Sequence, residues 1–305
     1  MSDPLYPTGR LLSFDNIKDS INKYYDTGKQ RGLSTGWLGG IDEYFTLKKG
    51  QLNIVVGIPS SGKSEWMDQL ILHTIALHEW HWTVFSPENW PLSNHFQKFA
   101  EKWTGKPMFF DAGQGRLSKE DLDQTVKDLS PFITFVDPPE DNISVKPIVD
   151  LLSKSIQENT TDAFILDPWN ECEHSRPPAM SETEYIGQAL TSLRNFARRN
   201  NIAIFIVAHP TKLVKRDDGK YPVPTPYDIA GSANWRNKAD SVLSVWRDYG
   251  NDNNEVELHI QKVRNKNLGK LGQVNFYWER TNGLFFTSQM DRQQNAGKGI
   301  RNLIA

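Results

Sequence analysis

Apolar positions along the chain recur with two different periods, and the changes between them mark the expected elements. Leu11, Leu12, Phe14, Ile17, Ile21 and Tyr24 fall at helical intervals with Ser13 placed as a cap, and Gly28 to Gly32 ends the pattern. This amphipathic helix has no partner in its local sequence, so it either packs on its own domain or docks on a neighbouring subunit. Gln51 to Val56 is a short run ending on Gly57, the form of a buried strand. After it Trp66, Met67, Leu70, Ile71, Thr74 and Leu77 return to helical spacing. Further strands are expected at 82–86, 132–136, 163–166 and 202–208, with helices over 118–129 and 181–199 between them. The second helix opens with the capping box Ser181 to Glu184 and should bury Ile186, Leu190, Leu193 and Ala197. Strand and helix in alternation predict an α/β fold, a mostly parallel central sheet flanked by helices. The runs 242–246, 256–262 and 273–278, separated by Gly- and Asn-rich turns, read as C-terminal hairpin strands at the sheet edge. The expected organisation is an N-terminal arm and linker helix over 1–32, one large domain over 33–288 and a flexible polar tail over 289–305.

Between the first predicted strand and the helix after it lies Gly57-Ile58-Pro59-Ser60-Ser61-Gly62-Lys63-Ser64, a G-x-x-x-x-G-K-[ST] phosphate loop, followed by Glu65. Its glycines let the backbone turn tightly with amides pointing inward, and the helix N-terminus adds partial positive charge. Lys63 is placed to reach the β- and γ-phosphates of ATP or another nucleoside triphosphate, and Ser64 to ligate Mg²⁺. Hydrolysis also needs carboxylates. Phe164 to Asp167 is an apolar strand ending in Asp, the form that holds Mg²⁺, and the strand from Trp82 leads to Glu88, which could orient or deprotonate water. Taken singly, each acid could equally be a helix cap or a surface ion pair; their occurrence beside a phosphate loop favours catalysis.

Composition narrows the setting. The 305 residues carry a net charge of -2, 24% charged and 38% hydrophobic residues, and no apolar run of membrane-spanning length. A nucleic-acid site must then be a local concentration of Lys and Arg, as in a ring with a basic bore. The unstructured connection His209 to Tyr227 offers one, with Lys212, Lys215, Arg216 and Lys220; it is either a solvated charge run or a nucleic-acid contact. The single cysteine, Cys172, excludes an internal disulfide framework and fits a reducing compartment. The N-terminus lacks a secretory pattern, so secretion is not expected; the expected setting is a cytoplasm, for a bacterial or phage-encoded protein, ahead of a mitochondrial matrix.

Several longer motifs then occur in order: Ser34 to Trp37 with Gly40 to Asp42, the phosphate loop, Ser86-Pro87-Glu88-Asn89, Leu166 to Glu171, Ile206 to Lys212, Gly231 to Asp240 and Gln261 to Arg264. Over residues 10–285 the chain closely resembles the Twinkle-like helicases, within the hexameric DnaB-like replicative DNA helicase family. The resemblance implies a RecA-like ATPase fold and an ATP- and Mg²⁺-dependent helicase, a homohexamer moving 5′ to 3′ on single-stranded DNA and opening forked duplex. Polymerase, primase or single-strand-binding protein would be partners. It makes Lys63 and Ser64 the phosphate-loop pair, Glu88 the catalytic glutamate and Asp167 the magnesium acid. His209 becomes a γ-phosphate sensor, and Arg264 with Lys262 the finger reaching a neighbour's ATP. Lys212, Lys215, Arg216 and Arg236 become DNA contacts, and Arg247 and Trp278 the packing around the base. Asn237 stands where many relatives have Gln, and no zinc-binding or primase-type segment is read upstream, so primer synthesis is not expected. RecA- or KaiC-type ATPases, and an ATP-switched DNA-binding accessory protein, are the competing readings.

Overall fold

The computed structural model describes residues 11–109, 115–137, 145–158, 160–172, 178–231, 233–250 and 254–304. Residues 1–10 of the expected arm, Ser232 of the 231–240 motif and Ala305 lie outside these. In chain order the strands are β1 (Leu52–Val56), β2 (Trp82–Phe85), β3 (Ile133–Phe135), β4 (Ala163–Leu166), β5 (Ala203–Ala208), β6 (Ser241–Trp246), β7 (Glu255–Val263), β8 (Gly272–Trp278) and β9 (Phe285–Phe286). The helices are α1 (Lys18–Thr27), α2 (Ile41–Tyr44), α3 (Lys63–His78), α4 (Leu92–Thr104), α5 (Lys119–Leu129), α6 (Val145–Glu158), α7 (Glu182–Asn200), α8 (Ala233–Lys238), α9 (Gln289–Gln294) and α10 (Ile300–Leu303).

All strands join one sheet in the order β3-β2-β4-β5-β1-β6-β7-β8-β9. Pairing is parallel from β3 to β6 and antiparallel from β6 to β9, so the expected hairpins extend the sheet. The alternation of side chains sorts the core into two layers. Val55, Phe205 and Val207 face a layer built from Trp66, Leu70 and Ile71 of α3 and Phe99 of α4. Ile54, Val56, Ile204 and Ile206 face the opposite layer, with Leu152 of α6, Leu190 and Leu193 of α7 and Trp235 of α8. α7 begins as its sequence dictates, with Ser181 and Glu184 exchanging both capping-box bonds.

The N-terminal helix is displaced from its expected start. Ser13 does not cap it: the Ser13 N–H and hydroxyl bond to Asn16 Oδ1, and a 3-10 turn over Asp15–Ile17 precedes α1. No residue of α1 is buried, and Phe14 and Tyr25 are exposed by more than four-fifths. Leu77, expected on the inner face of α3, is exposed. The flexible tail expected from residue 289 is corrected. Ser288 caps α9, Asp128 pairs with Arg301, and Ile300 is fully buried in the layer that holds α3 and α4. Its apolar side chain gives this polar segment an anchor. Among the described residues no helix is long and apolar enough to cross a membrane.

Candidate functional site

The carboxyl ends of β1, β2, β4 and β5 lie together, as their parallel registers require, and there the predicted residues meet. The phosphate loop joins β1 to α3. Gly57 is obligatory: a Cβ would stand 2.5 Å from the Val245 carbonyl oxygen and 2.6 Å from Ser61 Oγ. Gly62 takes φ +93° at the α3 N-cap, where its missing side chain permits the turn that begins the helix. Ile58 closes the loop by accepting the Ser61 N–H at 3.2 Å and Lys63 Nζ at 2.9 Å. Ser60 adopts a left-handed conformation, and the Pro59 carbonyl accepts the Tyr249 hydroxyl at 2.6 Å.

Charge in this pocket is held out of water. Burial pushes Asp167 up to about 6, against a hydrogen bond from Ser64 and the charge of Lys63. Burial likewise lowers Lys63 to about 8, against Asp167 and Glu88. Asp167 Oδ1 and Ser61 Oγ are buried without hydrogen-bond partners, so an acid and a hydroxyl stand ready for a ligand. Ser64 and Asp167 form a donor set that would suit Mg²⁺. Glu88 follows β2 and keeps 43% of its side chain exposed, with Oε1 3.4 Å from His209 Nε2. His209 is held in turn: its backbone N–H donates to Asn170 Oδ1 at 2.8 Å, and its ring Nδ1 lies 3.5 Å from the Gly57 carbonyl oxygen.

Glu65, next to Ser64, carries a different load. It pairs with Lys98 at 3.0 Å and with the buried Lys102. Burial raises its carboxyl, but the two ammonium groups prevail and hold it down at about 2. In return Glu65 and Asp68 keep Lys98 above its ordinary value despite burial.

Arg247 and Trp278 come together at the same end of the sheet, the guanidinium 6.0 Å from the ring centroid. The connection from His209 to Tyr227 is irregular but pinned along β6 and β7. Ser244 Oγ and Gln261 Nε2 both donate to the Pro224 carbonyl, Trp246 Nε1 to that of Tyr221, and Lys220 pairs with Asp248. Lys212, Lys215 and Arg216 are exposed on it, Lys215 lying 5.2 Å from the Tyr221 ring centroid, and Arg236 lies 5.6 Å from that of Tyr227. Tyr221 also meets Tyr249, which reaches the phosphate loop.

Lys262 and Arg264 are not part of that gathering. They lie at the other end of the sheet, where Asp240 accepts the Leu52 N–H that begins β1. Asp240 Oδ1 is shared by Arg194 at 3.0 Å, Arg264 at 3.2 Å and Arg198 at 3.4 Å. Arg264 also donates to the Asn237 carbonyl at 2.6 Å, so at this position the backbone, not the side-chain amide, is used. Lys262 donates to the Arg236 and Ala239 carbonyls, and burial together with Arg264 lowers it to about 8. Asn89, Asn170 and Asp240 lie inside the sequence motifs with no role read for them there, and Arg194, Arg198 and Tyr249 lie outside the motifs. The i, i+4 spacing of the two arginines on α7 was a legible sign that they share a partner.

The model of the DnaB-like helicase C terminal domain matches residues 32–287. The chain belongs to that family. Among curated DnaB-like relatives, it is 34% identical over 295 residues to a Twinkle homolog protein, chloroplastic/mitochondrial, of Arabidopsis thaliana, covering 93% of this chain and 40% of the relative. It is 26% identical over 269 residues to a probable replicative DNA helicase of Trieres chinensis, covering 84% and 57%. The chain therefore spans well under two thirds of the length of either. In fold it is similar to the ATPase domain of G40P, with a TM-score of 0.72 at 18% identity over 91% of this chain and 99% of that one. It is also similar to a DnaB-like replicative helicase solved for its interactions with primase, with a TM-score of 0.73 at 18% identity over 91% and 69%. The RecA-like arrangement of the DnaB-like ATPase domain is thus the fold of this chain.

Proposed function

We propose that the chain is the motor of an ATP-dependent replicative DNA helicase, working as a hexameric ring that moves 5′ to 3′ on single-stranded DNA. One observation supports this reading: the residues we assign to catalysis are split, with Lys63, Ser64, Asp167, Glu88 and His209 at one end of the sheet and Arg264 and Lys262 at the other. A site completed only by a neighbour ties hydrolysis to assembly.

The phosphate loop, residues 57–65, would hold the triphosphate, with Arg247 and Trp278 around the base. Ser64 and Asp167 would hold Mg²⁺, which neutralises charge on the phosphates when bound. Glu88 orients water and takes its proton, and His209 beside it reports the state of the site to the adjoining basic loop. On that loop Lys212, Lys215 and Arg216, with Arg236 nearby, meet the DNA backbone; its charge answers theirs. The arm over 1–32 docks α1 on the next subunit of the 33–288 domain, a reading supported by the absence of any buried residue along that helix. A primase is the partner class to try first.

The test is unwinding of a forked duplex labelled on one strand, with ATP and Mg²⁺, beside the solution mass of the same sample. Strand separation by a species of about six subunits is expected. Hydrolysis by that species without separation would replace the helicase with a translocase or an assembly switch.

A further inference from the structure

Behind the groups assigned to the nucleotide, a chain of polar contacts links four elements. Lys98 Nζ, on α4, donates to Asn89 Oδ1 at 2.9 Å and pairs with Glu65 Oε1 at 3.0 Å. Glu65 lies in the first turn of α3, directly after Ser64. Asn89 is buried, and its Nδ2 donates to Ser86 Oγ at 2.8 Å. Ser86 Oγ donates to the backbone carbonyl of Asp167 at 3.1 Å. The phosphate-loop helix, the turn after β2 and the end of β4 are thereby joined through side chains.

Glu88 sits inside this chain, between Ser86 and Asn89, yet its own carboxylate is 43% exposed and its contact with His209 is long at 3.4 Å. Its position is therefore set by its backbone, and that backbone is held through Asn89. The lysine is not needed merely to neutralise Glu65, because Lys102 already pairs with the other carboxylate oxygen from a fully buried position. What Lys98 adds is the bond to Asn89.

We propose that Lys98 is the positioning residue for Glu88, fixing the Ser86–Asn89 turn to the helix that follows the phosphate loop. This rests on the reading of Glu88 as the group that activates water. An error of about 1 Å in such a group costs on the order of 100-fold in rate, so a tether of this kind acts on turnover rather than on binding.

The experiment compares steady-state ATP hydrolysis, nucleotide affinity and thermal stability of full-length variants. Lys98→Met, which keeps the stem and removes both bonds, should lower kcat by about 10- to 100-fold while KM and nucleotide Kd change less than about 3-fold. Asn89→Ala should reproduce the loss from the other side of the bond, and the double variant should be no worse than either alone. Lys98→Arg, which can still bridge two acceptors, should restore part of kcat. Lys102→Met, which disturbs Glu65 but not Asn89, should lower the melting temperature with kcat retained. Lys98→Met turning over at the wild-type rate, or losing affinity instead of kcat, would overturn the proposal. Glu88→Gln turning over at the wild-type rate would instead remove the reading on which it rests.

Discussion

Replacing Arg264 by Ala should separate stability from turnover, and the structure says by how much. Its guanidinium is 40% exposed, and Asp240 keeps Arg194, Arg198 and the Leu52 N–H when it is gone. Because the buried Asp240 stays paired with two arginines, losing the partly exposed Arg264 should cost only about 1 kcal/mol, so the melting temperature should move little. A cation supplied to the γ-phosphate from a neighbour is worth about 10³- to 10⁵-fold in turnover, or roughly 4–7 kcal/mol of barrier. The assay is ATP hydrolysis at saturating nucleotide, first for Arg264→Ala and Lys63→Ala alone, both expected to be inactive, then for their mixture after co-assembly. In a random one-to-one mixture about a quarter of the interfaces pair an intact phosphate loop with an intact Arg264, so activity should reappear. Near-wild-type turnover by Arg264→Ala alone, or a demonstrably mixed assembly with no recovered activity, would refute the trans arrangement.

Three further outcomes are open to measurement. Deleting residues 1–27 should lower the oligomeric mass seen by light scattering, because α1 has no buried face of its own; an unchanged mass would place its docking surface on the same chain. His73, 4% exposed, is lowered to about 4 by burial, against the Thr35 carbonyl and Asp42. The fold favours its neutral form, so its contribution is present above pH 6.5 and is lost as pH falls toward 4, by about 3 kcal/mol. His73→Gln should show a flatter urea midpoint across that window than the wild type, and parallel curves would sink the assignment. Ile300→Ala should cost about 2–4 kcal/mol in urea unfolding, whereas an unattached tail would show almost no change.

Much of this architecture was written locally. β4 and β5 are continuous apolar runs, and β1 is one apart from Asn53, because both faces of the sheet are covered, and α7 carries its own start signal in Ser181 and Glu184. Glu88 and Asp167 were legible because parallel strands bring their ends to one crevice. α4 escaped notice since its inner face includes His95 and Lys102, polar residues whose burial is made possible by Asp68 and Glu65 far away in sequence. α6 was hidden by Pro147, which signals a break in most positions but is tolerated in a first turn. The tail misled because one buried isoleucine outweighs a polar neighbourhood. The convergence of three arginines on Asp240 depends on α7, β6 and β7 meeting in space, and no single window of sequence contains it.

The position of Asp240 turns the central strand into a ruler. It binds the first residue of β1, and the phosphate loop leaves the last, so on the proposed trans arrangement the two half-sites are separated by the length of five strand residues, about 15 Å. A rigid sheet cannot fold back to close that gap, and two copies facing each other about a twofold axis would each have to present both ends at once. On that proposal only a head-to-tail stack would use every half-site, and such a stack would either close on itself or climb as a helix. The subunit count and the pitch then depend on the small rotation between neighbours. Because nucleotide would sit at that joint, each bound or released triphosphate is placed to change the rotation.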